Sequence, residues 1–115
     1  MYHLNLKNSL VNDQAIHTLQ KNLTNIQILN LQNCAKLTTD CFKSLQKYKE
    51  LLSINVAQNN WFTDYTFTKL RNFKHIEYLE LSKTKITSLT LQELSEYDFI
   101  NQLRYLGLSF TYTDD

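Results

Sequence analysis

The chain has no proline and a single glycine, Gly107, in 115 residues, against usual shares of about 5% and 7%. Phosphate-cradling loops and many catalytic turns depend on glycine's freedom in φ, so a glycine-rich phosphate loop is excluded, and enzyme chemistry is not expected. Cysteine is scarce as well: Cys34 and Cys41 are the only two. The N-terminal string Met1-Tyr2-His3-Leu4-Asn5-Leu6-Lys7 lacks the apolar run of about 7–15 residues that marks a secretory leader. Free thiols in a reducing compartment are therefore expected, which places the chain inside the cell, in the cytoplasm. No stretch approaches the roughly 18 apolar residues needed to span a bilayer, so no membrane insertion is expected. An excess of one charge is also missing: 12 Lys and Arg face 11 Asp and Glu, a net charge of +1. Nucleic-acid and membrane-surface proteins usually carry a large imbalance, and nucleic acid is not expected as a partner.

What is present is a repeat. Hydrophobic residues make up 43% and aromatic residues 12%, enough to build a core. An apolar–two–apolar–one–apolar–two–small pattern fits Met1, Leu4, Leu6, Ser9 and then Ile26, Leu29, Leu31, Cys34. It recurs at Leu51, Ile54, Val56, Asn59, at Ile76, Leu79, Leu81, Thr84 and at Leu103, Leu106, Leu108, Thr111. The starting positions 1, 26, 51, 76 and 103 divide the chain into units 1–25, 26–50, 51–75 and 76–102 and a partial unit 103–115. The second half of each unit repeats too, in Val11-Asn12 with Ile16 and Leu19, Leu37-Thr38 with Phe42 and Leu45, Phe62-Thr63 with Phe67 and Leu70, and Ile86-Thr87 with Leu91 and Leu94. The fifth unit begins the same way at Tyr112-Thr113-Asp114.

Each half has its own physics. Leu-x-Leu alternation is the period of a short strand with one buried face. The second half carries helical spacing behind Asn12, Thr38, Thr63 and Thr87, all good N-cap types, and Asp13 and Asp64 follow where a helix N-terminus favours negative charge. One strand and one helix cannot bury a core alone, so the units must stack, strand beside strand. The string Ile26-Gln-Ile-Leu29-Asn-Leu31-Gln-Asn-Cys34-Ala-Lys-Leu37-Thr38, with its LxxLxLxxC-xx-LT run, resembles the cysteine-containing subclass of leucine-rich repeats found in F-box receptor proteins. Phe62-Thr63-Asp64 and Tyr112-Thr113-Asp114 resemble the apolar-Thr-Asp start of that subclass's helix. The resemblance implies an α/β fold: one right-handed leucine-rich repeat solenoid domain over residues 1–115, with a parallel concave sheet, helices on the convex face and about four and a half repeats.

Candidate sites are few. Cys34 and Cys41 lie seven apart, unlike the paired spacing of a zinc site, and read as buried structural thiols; no metal or cofactor is expected. His3, His17 and His75 fall on different faces of the repeat and imply no catalytic pairing. The fifth-position column reads Asn5, Asn30, Asn55, Glu80, Gly107; three stacked Asn could form an amide ladder between strands or serve recognition. Around it Ile28, Leu52, Tyr78, Tyr105 and Phe110 are expected on the open face, running obliquely across the strands as a partner-binding patch. Trp61 either packs locally or anchors a partner. The longer fourth unit, with Asp98-Phe99-Ile100 added, is expected to extend the outer face, as a harmless insertion or a docking ridge. Residues 1–75 carry +5 and residues 76–115 carry −4, an asymmetry that could steer an acidic partner.

The expected function is a non-catalytic protein–protein interaction module with a protein partner. Two alternatives stand beside it: the substrate-receptor part of an F-box-type ubiquitin ligase or a microbial mimic of one, and a structural subunit of a larger assembly. The last follows from end units that read as uncapped, which implies end-to-end packing or an oligomer.

Overall fold

Every Leu-x-Leu run forms a short strand in the computed structural model, which describes residues 2–109 and 111. The strands are β1 Tyr2–Asn5, β2 Ile26–Asn30, β3 Ser53–Asn55, β4 Tyr78–Glu80 and β5 Tyr105–Gly107. They make one five-stranded sheet in sequence order, and every neighbouring pair is parallel. The expected helices follow the strands: α1 Asp13–Asn22, α2 Phe42–Leu45, α3 Asp64–Phe67 and α4 Ser88–Leu94. α2 and α3 are a single turn each, extended by 3-10 turns at Thr39–Cys41 and Thr68–Leu70, and a further 3-10 turn covers Asp98–Gln102. Met1 and the start of the fifth helical half at Tyr112-Thr113-Asp114 lie outside the described residues. None of the described helices is long and apolar enough to cross a membrane.

The core is the set of repeated apolar positions. Leu29, Ile54 and Leu79 stand side by side in register, as do the chain segments carrying Leu31, Val56 and Leu81, and all six are buried. Leu37, Phe62 and Ile86 close the end of each strand unit, while Phe42, Phe67, Leu45 and Leu70 bring the helical halves down onto the sheet. Each such side chain contributes about 1.5–3 kcal/mol of burial, and none could do so within a unit standing alone.

All four expected N-caps are in place. Asn12 Oδ1 accepts from the Ala15 amide, and the Thr38, Thr63 and Thr87 hydroxyls accept from the Asp40, Thr66 and Leu89 amides. The acids behind them do more than face a helix dipole. The Asp13 carboxylate accepts from both the amide and the hydroxyl of Thr38, one unit on. The Asp64 carboxylate accepts from the Thr87 amide and from the hydroxyls of Thr87 and Thr90. These acids are clamps between successive units.

The fourth unit has its expected added turn, the 3-10 turn Asp98–Gln102, but the turn is not wholly on the outside: Phe99 is completely buried, and Tyr97 beside it is buried as well. Tyr97 stacks on Phe67 at 5.0 Å and meets Phe99 edge-on at 5.8 Å. The chain turns inward because two large rings recover more by burial than by exposure. Asp98 stays outside and pairs with Lys74 at 3.0 Å.

Candidate functional site

Successive side chains on a strand point to opposite faces, so burying the fourth-position residues leaves the third and fifth on the open face. Parallel register aligns them in rows. The third-position row is His3, Ile28, Ser53, Tyr78, Tyr105; the fifth is Asn5, Asn30, Asn55, Glu80, Gly107.

The fifth-position row is not an amide ladder. Asn5, Asn30 and Asn55 each turn back to accept from the backbone amide two residues on, at Lys7, Gln32 and Ala57. A short amide side chain at a strand end meets its own chain sooner than its neighbour's. Only Asn55 reaches across, donating to Gln32 Oε1, and the amide-to-amide bond between the first two units lies at the eighth position, from Asn33 to Asn8. Glu80 keeps the turn with a longer arm: Oε1 accepts from the Ser82 amide and hydroxyl, and Oε2 accepts from the Tyr105 hydroxyl at 2.8 Å.

Gly107 belongs to this arrangement. A Cβ there would collide with the Glu80 carboxylate, so the only glycine of the chain sits where the acid leans over β5. Partial burial pushes the Glu80 carboxyl upward, but the bonds from Ser82 and Tyr105 outweigh it and hold the group below its usual range. The same bond, with the Glu80 charge, pushes the Tyr105 phenol up to about 12.

Of the expected patch, Tyr78 and Tyr105 come together: their rings stack at 4.4 Å and 8°, with 38% and 43% of each residue exposed. Ile28 and Leu52, expected to be exposed, are half-buried. Ser53 lies between Ile28 and Tyr78 in the row, so the apolar strip is interrupted. Leu52 precedes β3; its amide donates to Gln27 and its carbonyl accepts from Glu77 and Tyr78. Phe110 lies outside the described residues. Glu80 and Gly107 were missed as site residues because their relation exists only once the strands are aligned; an acid followed by a glycine at the same position of the next unit was the available signal.

Other candidates resolve as structure. Cys34 and Cys41 are buried free thiols whose pKa values are raised, chiefly by burial. The Cys34 thiol donates to the Leu6 carbonyl, its amide donates to Asn59, and Asn59 in turn donates to the Leu31 and Val56 carbonyls. The small or polar column thus ties off the backbone at the end of each strand. Trp61 donates to the Cys34 carbonyl and packs against Phe42 and Phe62. His17 Nδ1 lies 3.2 Å from the buried Ser44 hydroxyl, a pair that unit spacing did not reveal. No carboxylate among the described residues hydrogen-bonds that imidazole, and the contact joins α1 to α2. A cleft of about 100 Å³ on the helix side, lined in part by Asp40, Lys43, Tyr65 and Lys69, is well below the roughly 300–1,000 Å³ of a small-molecule pocket. Among the described residues no three His, Cys, Asp or Glu side chains gather as a metal set. No family model matches the chain, and no curated protein matches it.

Proposed function

We propose that the chain is a leucine-rich repeat solenoid of the cysteine-containing subclass, and that it works as a non-catalytic protein–protein interaction module. The concave side would be the open sheet face and the convex side the helices, wound with a right-handed crossover as parallel strand connections usually are. The repeating N-caps, the backbone-tying column at Ser9, Cys34, Asn59, Thr84 and Thr111, and the clamps at Asp13 and Asp64 support the repeat reading. Buried free thiols fit a reducing cytoplasm.

The observation that carries the function is the Tyr78–Tyr105 stack on the open face. Two large rings stay exposed as a stacked pair, while Phe62, Phe67 and Tyr97 are buried and the exposed Tyr2 and Tyr65 stack on no other ring among the described residues. Tyrosines of this kind supply contact area at low ordering cost and are enriched at interface hot spots. The face is rigid before binding, because each strand is hydrogen-bonded to its neighbours. Pull-down from the native source with Tyr78→Ala/Tyr105→Ala is expected to lose a partner that the outer-face variant Tyr65→Ala retains, both variants being shown folded by circular dichroism. Retention of every partner by the double variant overturns the reading.

A second reading, end-on assembly, is favoured by one observation. Tyr2 and Leu10 in the first unit are 63% and 78% exposed, and its core-position residues Leu4, Leu6 and Val11 are only partly buried, whereas their counterparts Leu29, Leu31 and Leu37 in the second unit are buried. Sedimentation as a lone monomer at every concentration would count against it.

A further inference from the structure

We propose that the corner of the open face formed by Tyr78, Tyr105 and Glu80 is a seat for an arginine side chain of a protein partner. This rests on the reading of the open face as the interaction surface and specifies the chemistry that the surface selects.

Three features converge there. The first is the ring pair. An aromatic face attracts a cation, and each ring of the stack covers only one face of the other. The free face nearer the carboxylate is that of Tyr105, because Glu80 leans over β5 and takes the Tyr105 hydroxyl. The second is the carboxylate. Ser82 donates twice to Oε1 and Tyr105 once to Oε2, so of the about four acceptor positions of an ionised carboxylate those on Oε2 are the less occupied. The groups holding it are neutral, so they aim the carboxylate without discharging it. The third is Gly107, which leaves the space over β5 in which that carboxylate lies. A fixed anion beside exposed ring faces is complementary to a planar guanidinium, which stacks and donates in one plane; an ammonium would satisfy the charge but not the stacking. Arg104 does not fill this role within the chain: it approaches Glu77 instead, at 3.9 Å and largely in solvent.

The test uses the full chain, isotope-labelled for NMR, titrated with the capped tripeptide Gly-Arg-Gly and with its citrulline counterpart, a neutral isostere of arginine. The arginine peptide at millimolar concentration is expected to shift the signals of Tyr78, Glu80 and Tyr105 saturably, and the citrulline peptide is expected not to. Glu80→Gln should weaken binding about tenfold by removing the charge-assisted bond, and Tyr105→Ala should weaken it severalfold. Tyr105→Phe keeps the ring, frees an acceptor on Glu80, and should bind as well as the parent chain or better. Equal shifts from both peptides, no saturable shift at these residues, or full binding by Glu80→Gln each overturn the proposal. If the tripeptide fails while Tyr78→Ala/Tyr105→Ala still loses its partner in the pull-down, arginine recognition is wrong and the interaction face stands. If both fail, the face reading falls as well.

Discussion

Asn8, Asn33, Gln58 and Lys83 share one position in successive units, and all four have φ between 54° and 63°. Each donates its amide to the next unit, to Gln32, Ala57, Ser82 and Ser109 respectively, so the turn continues the hydrogen bonding of the sheet beyond the strands. Asparagine tolerates that left-handed conformation; glutamine and lysine are strained there by about 1–2 kcal/mol. A chain with one glycine thus meets a repeated demand for positive φ without using it. Gln58→Gly is expected to raise stability by about 0.5–1 kcal/mol, the relief of strain exceeding the greater freedom of unfolded glycine. Urea denaturation checks it, with Gln58→Ala expected to gain nothing because alanine keeps the Cβ. Tyr97 offers a second residue-scale test. Its buried hydroxyl has no hydrogen-bond partner among the described residues, and the Arg71 guanidinium lies over the ring, 5.2 Å from the centroid. Tyr97→Phe keeps the stack on Phe67 and removes an unsatisfied polar atom, so the urea midpoint should rise, by about 1 kcal/mol in stability. A loss of stability would show that the hydroxyl is partnered in solution.

Successive helical halves are held together by Asp13 and Asp64, and the second clamp makes stability pH-dependent. Partial burial raises the Asp64 carboxyl, but the bonds from Thr87 and Thr90 outweigh it and leave the group below its usual range. A depressed carboxyl stabilises fully above its unfolded pKa of about 3.9, and that contribution is lost as pH falls through the lower folded value. Glu80 shifts in the same direction and adds to the same acid limb. Asp64→Asn should therefore lower stability at pH 7 by about 1–3 kcal/mol and flatten the decline below about pH 4, read from urea midpoints across pH. An unchanged acid limb would mean that the clamp does not exist in solution. The same elements show what could be read in advance. Strands and caps were legible because Leu-x-Leu periodicity and an Asn or Thr before a helical run act within a few residues. Asp13 and Asp64 were legible only as acids at helix starts, since their partners lie 25 and 23 residues on and become neighbours only through register. Phe99 looked like surface because it sits in an insertion, where periodicity has no phase to assign. Glu80 and Gly107 escaped for the same reason as the clamps: a carboxylate leaning over the next strand is a property of two aligned units.

Stacked units share their stability with their neighbours, and the end units have fewer of them. Leu29, Ile54 and Leu79 are buried between strands on both sides, whereas Leu4 on β1 is only half-buried and β1 is hydrogen-bonded to β2 alone. Val11, which corresponds to the buried Leu37, Phe62 and Ile86, is likewise partly exposed. Opening the first unit therefore uncovers less new apolar surface than opening the third, while releasing a similar amount of chain entropy. Amide exchange of the chain at low concentration is expected to follow that order: β1 and α1 amides exchange through local fraying, and those of Ile54, Val56 and Leu79 only on global unfolding. Uniform protection from the first unit to the fourth would contradict it. Repeating the measurement at high concentration separates the two functional readings. If a second copy covers Tyr2 and Leu10, mass action stabilises the covered unit, and β1 and α1 protection rises with concentration while that of the middle units does not. If the open sheet face is the only interaction surface, protection of the first unit is independent of concentration, and only a partner bound across Tyr78 and Tyr105 slows exchange, beginning at β4 and β5.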